Sequence, residues 1–144
     1  MTMTIRPAAA ADLGATVELL KDAGLCFEDL SADMLAFVAE NNAIFQGVIG
    51  REIFGDIAFM RSLVISGDAR GAGIGPALVT ALETACLTDG IGEIWLLTFD
   101  ADPFFAKLGY LTRDRADAPD AIRNTEEFRV LCPADAVLMS KSLR

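Results

Sequence analysis

Arg70, Gly71, Ala72, Gly73, Ile74 and Gly75 set one cation and three glycines between two apolar runs. The run before them, Ile57 to Ser66, reads as a strand. The run after them reads as a helix from about Gly73 to Thr88, with Ile74, Ala77, Leu78, Ala81, Leu82 and Ala85 on one face. A helix that begins this way presents backbone N–H groups with no internal acceptor. Its dipole adds roughly half a positive charge, and glycines let a ligand approach the main chain, so the run suits a phosphate. Two other phosphate loops fail on detail. The dinucleotide pattern GxGxxG needs a glycine where Pro76 stands, and the Walker loop needs Lys and Ser or Thr where Pro76 and Ala77 stand. The plain alternative is a glycine-rich turn before an ordinary helix.

Charge sharpens the reading. The chain has 144 residues and a net charge of -9, from 12 Lys plus Arg against 21 Asp plus Glu. No basic field exists to neutralise a nucleic acid backbone or an anionic membrane, so neither is expected as a partner. A polyanionic small molecule would have to be held locally, by amides and Arg70. At 53% apolar residues the chain is expected to bury a core rather than remain disordered. No apolar run approaches the roughly 20 residues of a membrane span, and the opening MTMTIRPAAAAD lacks the pattern of a signal peptide. A cytoplasmic protein is expected. Cys26, Cys86 and Cys132 are scattered and odd in number, and there is no His, so neither a zinc site nor a cysteine paired with a histidine base is expected.

The elements that position the glycine run alternate along the chain. TIRPA is extended, and a helix with Leu13, Val17 and Leu20 on one face stops at Gly24. Leu25 to Leu35 is irregular. AFVAE and NAIFQGVIGREI read as a hairpin turning at Asn41 and Asn42. EIWLLTF, nearly all apolar, reads as a strand covered on both faces, and PFFAKLG as a short helix from Pro103 to Gly109. A strand near Tyr110 to Arg113, a helix over Pro119 to Phe128 and a closing strand AVLMSKS complete an α/β order that implies one mixed sheet with helices on its faces.

RGAGIG after an apolar strand resembles the acetyl-CoA loop of the GNAT acyltransferases, whose pattern is Arg/Gln-x-x-Gly-x-Gly/Ala. IRPA followed by AADL resembles the usual GNAT opening, and PFFAKLGY resembles the late FYxKLGF helix and strand. The tail RADAPDAIRNTEEFRVLCPADAVLM resembles GNAT proteins encoded near arsenic-resistance genes, and WLLT is more weakly similar to the acetyl-transfer domain of N-acetylglutamate synthases. The resemblance implies a single GNAT domain over residues 1–144: an α/β (α+β) fold with a mixed, mostly antiparallel sheet, helices on both faces and a splayed strand pair. It implies acetyl-CoA as co-substrate without a metal. The pantetheine arm would bond to the backbone of Leu63, Val64 and Ile65, and the pyrophosphate would rest on Arg70, Gly71, Ala72, Gly73, Ile74 and Gly75. The implied reaction is acetyl transfer to a small amine, such as an amino acid or an amine-bearing arsenical. An acyl-CoA-binding module without turnover and a protein acetyltransferase are the alternatives.

The departures bear on mechanism. Where many GNAT enzymes place a tyrosine to protonate the departing thiolate stands Phe105, left as an apolar neighbour of the cofactor, and the only tyrosine, Tyr110, matches a core aromatic. The glutamate some members use as a base is matched by Phe59. Asp56, Asp100 and Asp102 flank the two strands and are the candidate catalytic carboxylates, although each is also an ordinary turn residue. Arg61, mid-strand among apolar neighbours, either pairs with Asp56 or Glu52 or holds an anionic group of the substrate. Arg6 poses the same choice. Arg123 and Arg129 either flank the acceptor or are solvated on a helix surface, and Cys132, next to Pro133, either binds arsenic or is a small core hydrophobe. A mean hydropathy of +0.40 is high for a small monomer and suggests that a second copy covers some apolar surface.

Overall fold

The computed structural model describes residues 3–131 and 136–144. Seven strands form one sheet: β1 (Met3–Pro7), β2 (Leu35–Asn41), β3 (Ile44–Phe54), β4 (Ile57–Ile65), β5 (Glu93–Thr98), β6 (Leu111–Arg113) and β7 (Val137–Ser142), in the order β1-β2-β3-β4-β5-β7-β6. Every neighbouring pair is antiparallel except β4 and β5. The helices are α1 (Leu13–Ala23), α2 (Ile74–Thr88), α3 (Asp102–Lys107) and α4 (Asp120–Arg123).

Alternation along the strands sorts the apolar residues onto two faces. Ala39, Ile49, Met60, Ile94 and Leu96 join the buried face of α2, made by Ile74, Leu78, Val79 and Leu82, together with Phe105 of α3. The residues between them point the other way. Val38, Val48 and Val64 pack with Leu20 of α1, while Phe59, Trp95 and Leu138 pack with Ile122 of α4. That second face therefore carries two separate clusters, one under each helix, with a gap between them over β4.

Local chemistry sets the element ends. Gly24 adopts a left-handed φ of 71° and closes α1, with Leu25 N–H donating to the Leu20 carbonyl at 2.9 Å. The β2–β3 turn falls on Asn42 and Ala43, both at positive φ (54° and 65°), one residue later than the Asn41–Asn42 pair. A two-residue turn of this kind needs both central residues left-handed, and Asn41 is still paired with Ile44. The expected helix over Pro119 to Phe128 divides into α4 and a wide turn at Glu127–Leu131. Thr125 sits at the division: its hydroxyl donates to the Ile122 carbonyl at 2.7 Å and accepts from Phe128 N–H at 3.2 Å. A Thr side chain that competes this way for local backbone groups interrupts a helix.

The irregular segment between α1 and β2 is held against the sheet. Arg51 donates to the Asp33 carbonyl at 2.9 Å, and a Cβ on Gly50 would lie 2.9 Å from the Met34 carbonyl oxygen. Gly50→Ala forces that backbone away and is expected to cost about 1–3 kcal/mol. Gly14 lies within α1, where an added methyl group would meet nothing within 4 Å, and Gly14→Ala is expected to add about 0.5–1 kcal/mol. Urea unfolding of both variants checks the pair; equal effects would contradict the close approach at Gly50.

Candidate functional site

β4 and β5 pair only through Ile57–Phe59 and Glu93–Trp95, and then part. A bulge in β4 accompanies the separation. Val48 faces Val64 and Gly50 faces Arg61, so the single residue Ile49 opposes both Ser62 and Leu63. Ser62 takes the left-handed φ of 59° that the extra residue requires. A bulge bends its strand and increases its twist. It also resets the alternation: Phe59 and Arg61 share a face, and beyond the bulge that face belongs to Val64.

The cleft so opened has a volume of about 180 Å³. Met60, Arg61, Ser62 and Leu63 wall it on one side and Leu96, Leu97 and Thr98 on the other, with Phe104 and Phe105 of α3 across its end. Thr98 accepts from Ala101 N–H at 3.1 Å, which turns the chain from β5 into α3 and sets Phe105 edge-on to Phe104 and Tyr110. Along β4 beyond Phe59, no strand among the described residues takes up the backbone groups that face β5.

The glycine run stands at the same end of β4. Gly71 and Gly73 have positive φ (84° and 77°), conformations a side chain would strain. Gly73 is the N-cap of α2 and, being glycine, supplies no side-chain cap to the helix start. Arg70, Gly71, Ala72 and Gly73 are exposed, while Ile74 is buried and anchors the helix. Gly75 lies against the Phe104 ring, where a Cβ would come within 3.2 Å. The first-turn amides of α2 are thus open to an anion, and the loop meets the chemistry of a diphosphate.

Arg61 is buried, with 3% of its surface exposed. Its two terminal nitrogens hold Asp29 at 2.7 and 2.6 Å, and one of them lies 3.5 Å from Glu52. The Glu52 contact lacks hydrogen-bond geometry, since Glu52 Oε2 is buried without a partner. Burial would lower the Arg61 pKa, but Asp29, Glu127 and Glu52 outweigh it and hold the guanidinium charged. Asp56, the other partner expected from sequence, is exposed in the β3–β4 turn. Its carbonyl accepts from Gly92 N–H at 2.8 Å, at the end where β4 and β5 are still joined, so it does not line the cleft. Asp100 does line it, from the exposed β5–α3 connection. Asp102 opens α3 and is not among the cleft residues.

Glu127 also lines the cleft, and nothing in its sequence neighbourhood singles it out. It is 8% exposed, and its Oε2 is buried without a hydrogen-bond partner. Burial, only partly offset by Arg61, pushes its carboxyl up to about 7.

Other candidates resolve differently. Arg6 pairs with Asp12 at 2.9 and 2.8 Å and with Glu40 at 3.1 Å, clasping β1 to β2. Arg123 and Arg129 are exposed and outside the cleft. Tyr110 is buried and donates to Glu83 at 2.9 Å; burial first and Glu83 second raise its pKa, so it is a core residue. Burial pushes the Cys86 thiol up to about 11. Cys26 is half-buried at the cleft, and Cys132 and Pro133 lie outside the described residues.

A family model described as "Acetyltransferase (GNAT) domain" matches residues 32–111. No curated protein sequence matches the chain. Among solved structures, N-acetylglutamate synthase from Neisseria gonorrhoeae, complexed with coenzyme A and N-acetyl-glutamate, aligns at a TM-score of 0.85 and 17% identity. That alignment covers 100% of this chain but 36% of the synthase, so the chain spans about a third of that protein. A Mycobacterium tuberculosis protein in complex with CoA aligns at 0.82 and 19% identity, over 98% of this chain and 99% of the other. PaiA N-acetyltransferase from Thermoplasma acidophilum, in complex with coenzyme A, aligns at 0.74 and 17% identity, over 99% of each chain. These likenesses share the mixed sheet, and the family match runs from before β2 to the start of β6, through the bulged strand and the whole glycine run. The chain belongs to the GNAT family of acetyltransferases.

Proposed function

We propose that the protein is an acetyl-CoA-dependent N-acetyltransferase acting on a small amine by direct attack within a ternary complex. The observation that carries this reading is the parting of β4 from β5 beside an uncapped glycine-cradled helix start. Amides of a pantetheine arm would complete the edge of β4 at Leu63, Val64 and Ile65, as an added strand does. The diphosphate would rest on the main chain from Gly71 to Gly75 with Arg70 beside it, and Phe105 would shield the thioester from water. A β4 N–H aimed at the thioester carbonyl would stabilise the negative charge that grows on its oxygen when the amine attacks. We place the reaction in the cytoplasm, where thiols such as Cys26 and Cys86 stay reduced. Among the described residues, no helix is long and apolar enough to cross a membrane.

The acceptor is a small molecule in this reading because the cleft, about 180 Å³ in volume, is bordered by α1, α3 and the Glu127 turn. The resemblance of the tail to arsenic-resistance GNAT proteins keeps an amine-bearing arsenical among the acceptors to be tried. A second copy is proposed to cover the sheet edge at β6, where Leu111 is 69% exposed.

Three outcomes test this reading. Wild-type protein is expected to release CoA thiol from acetyl-CoA in the presence of amines drawn from polyamines, amino acids and arsenicals. Release with none of them, while CoA still binds, would leave an acyl-CoA-binding module instead. Arg70→Glu reverses an exposed charge and should weaken CoA about 10- to 100-fold at an unchanged melting temperature, as expected for losing a bond to a charged group. Unchanged affinity would remove Arg70 from the phosphate site. Sedimentation is expected to give the mass of two chains, and a single-chain mass would contradict the covered edge.

A further inference from the structure

We propose that Glu127 is the group that takes the proton from the acceptor's ammonium, and that the acceptor carries no carboxylate beside its nitrogen. This rests on the transferase reading above and names the acceptor class of the same cleft.

The first half follows from where Glu127 stands. It reaches the cleft from the wide turn after α4, with one carboxyl oxygen out of contact with solvent and without a partner. An unpaired buried carboxyl is costly, and a structural role would normally supply it with donors. Thr125 bonds on both sides of the turn that holds it, and Arg115 stacks on the neighbouring Phe128 ring at 4.4 Å, so its placement is supported by other residues. The charged groups that act on it are Arg61 from β4, Asp29 from the segment after α1 and Glu52 from β3, and Cys26 and Asp100 line the same cleft. In these surroundings the carboxyl titrates near neutrality, where a base both exists in its ionised form and still draws a proton strongly. Phe59 and Phe105 leave the two usual acid and base positions apolar, and neither Asp56 nor Asp102 reaches the cleft.

The second half follows from Arg61. It is the cation of this cleft, and its two terminal nitrogens are already committed to Asp29 and approached by Glu52. Three carboxyls, counting Glu127, surround one guanidinium. Asp29 takes one N–H from each terminal nitrogen and Ser62 Oγ accepts from Nε, so a substrate carboxylate would find only the remaining terminal N–H groups and would meet the negative charge of Asp29 and Glu52 there, whereas an ammonium meets attraction. Arg123 and Arg129 are exposed and elsewhere, so they offer no second anion site.

Glu127 takes one proton from R–NH3+ and later returns it to solvent. The freed amine bonds to the acyl carbon, the carbon–sulfur bond breaks, and the second nitrogen proton ends on the departing thiolate to give CoA thiol.

The experiment compares wild type, Glu127→Gln and Glu127→Asp in thiol-release kinetics with two matched pairs, tyramine against tyrosine and agmatine against arginine. At saturating acetyl-CoA, each amine should exceed its amino acid by at least about tenfold in kcat/KM. Glu127→Gln should lose about 100-fold or more in kcat with unchanged CoA affinity and lose the acidic limb of the pH profile near 7, and Glu127→Asp should recover part of the rate. The thermal midpoint supplies a readout independent of turnover. A carboxyl whose pKa is raised on folding stabilises the fold fully below its unfolded value, and that contribution is lost as pH rises through about 7. Wild type should therefore lose stability relative to Glu127→Gln between pH 5 and pH 8. Equal or better use of the amino acids would overturn the acceptor class, and an unaltered pH profile in Glu127→Gln would overturn the base. Absence of thiol release from wild type with every amine, CoA still binding, would instead sink the transferase reading on which both depend.

Discussion

One extra residue in β4 shapes the rest of the molecule. Parallel strands ordinarily run side by side until both end, and their backbone groups satisfy one another. Here Ser62 is inserted opposite Ile49, the strand bends, and β4 leaves β5 after three paired residues. Beyond that point the backbone stays paired with β3 on one side and, among the described residues, has no strand paired on its β5 side, an arrangement a protein sustains when something else completes the ladder. The same insertion turns Val64 toward α1 and so closes the cluster beneath that helix. Cleft and core thus follow from a single irregularity.

Charge is distributed to match. A chain with a net charge of -9 has no long-range attraction for a polyanion, and the structure answers locally with an exposed Arg70 and the amide-rich start of α2. Around Arg61 the balance reverses. Arg61 is desolvated and could not remain buried without compensation, and Asp29 gives it a two-point hydrogen-bonded partner. That pairing ties the irregular segment after α1 to the middle of β4, so the residue that fills the cleft wall also fixes the loop that roofs it. Raised pKa values at Glu52 and Glu127, both caused first by burial, show how far this corner is withdrawn from solvent.

Local features were legible in the sequence. The order of helices and strands follows from periodicity, and the glycine run stands out because spacing and backbone freedom belong to adjacent residues. Errors arose where the answer depended on distant parts. The β2–β3 turn moved one residue because Asn41 finds a partner in Ile44, and the Pro119 to Phe128 helix broke because Thr125 competes for its backbone. Asp56 could have been set aside from topology alone. It precedes β4 and Asp100 follows β5, so in a parallel pair they lie at opposite ends, and ligands gather at the carboxyl ends of such strands. Glu127 had no such signal. Its place in the cleft depends on a turn that brings it to strands far away in sequence, and a glutamate beside another glutamate in a charged tail reads as a solvated face.

The central claim is that the open edge of β4 and the head of α2 together hold a thioester carrier through their main chains. Backbone amide resonances followed by NMR as coenzyme A is added test it directly. The account predicts that the largest shifts fall on Leu63, Val64 and Ile65 and on Gly71 through Gly75, saturating together. Binding that leaves these amides unmoved and shifts another surface would contradict it.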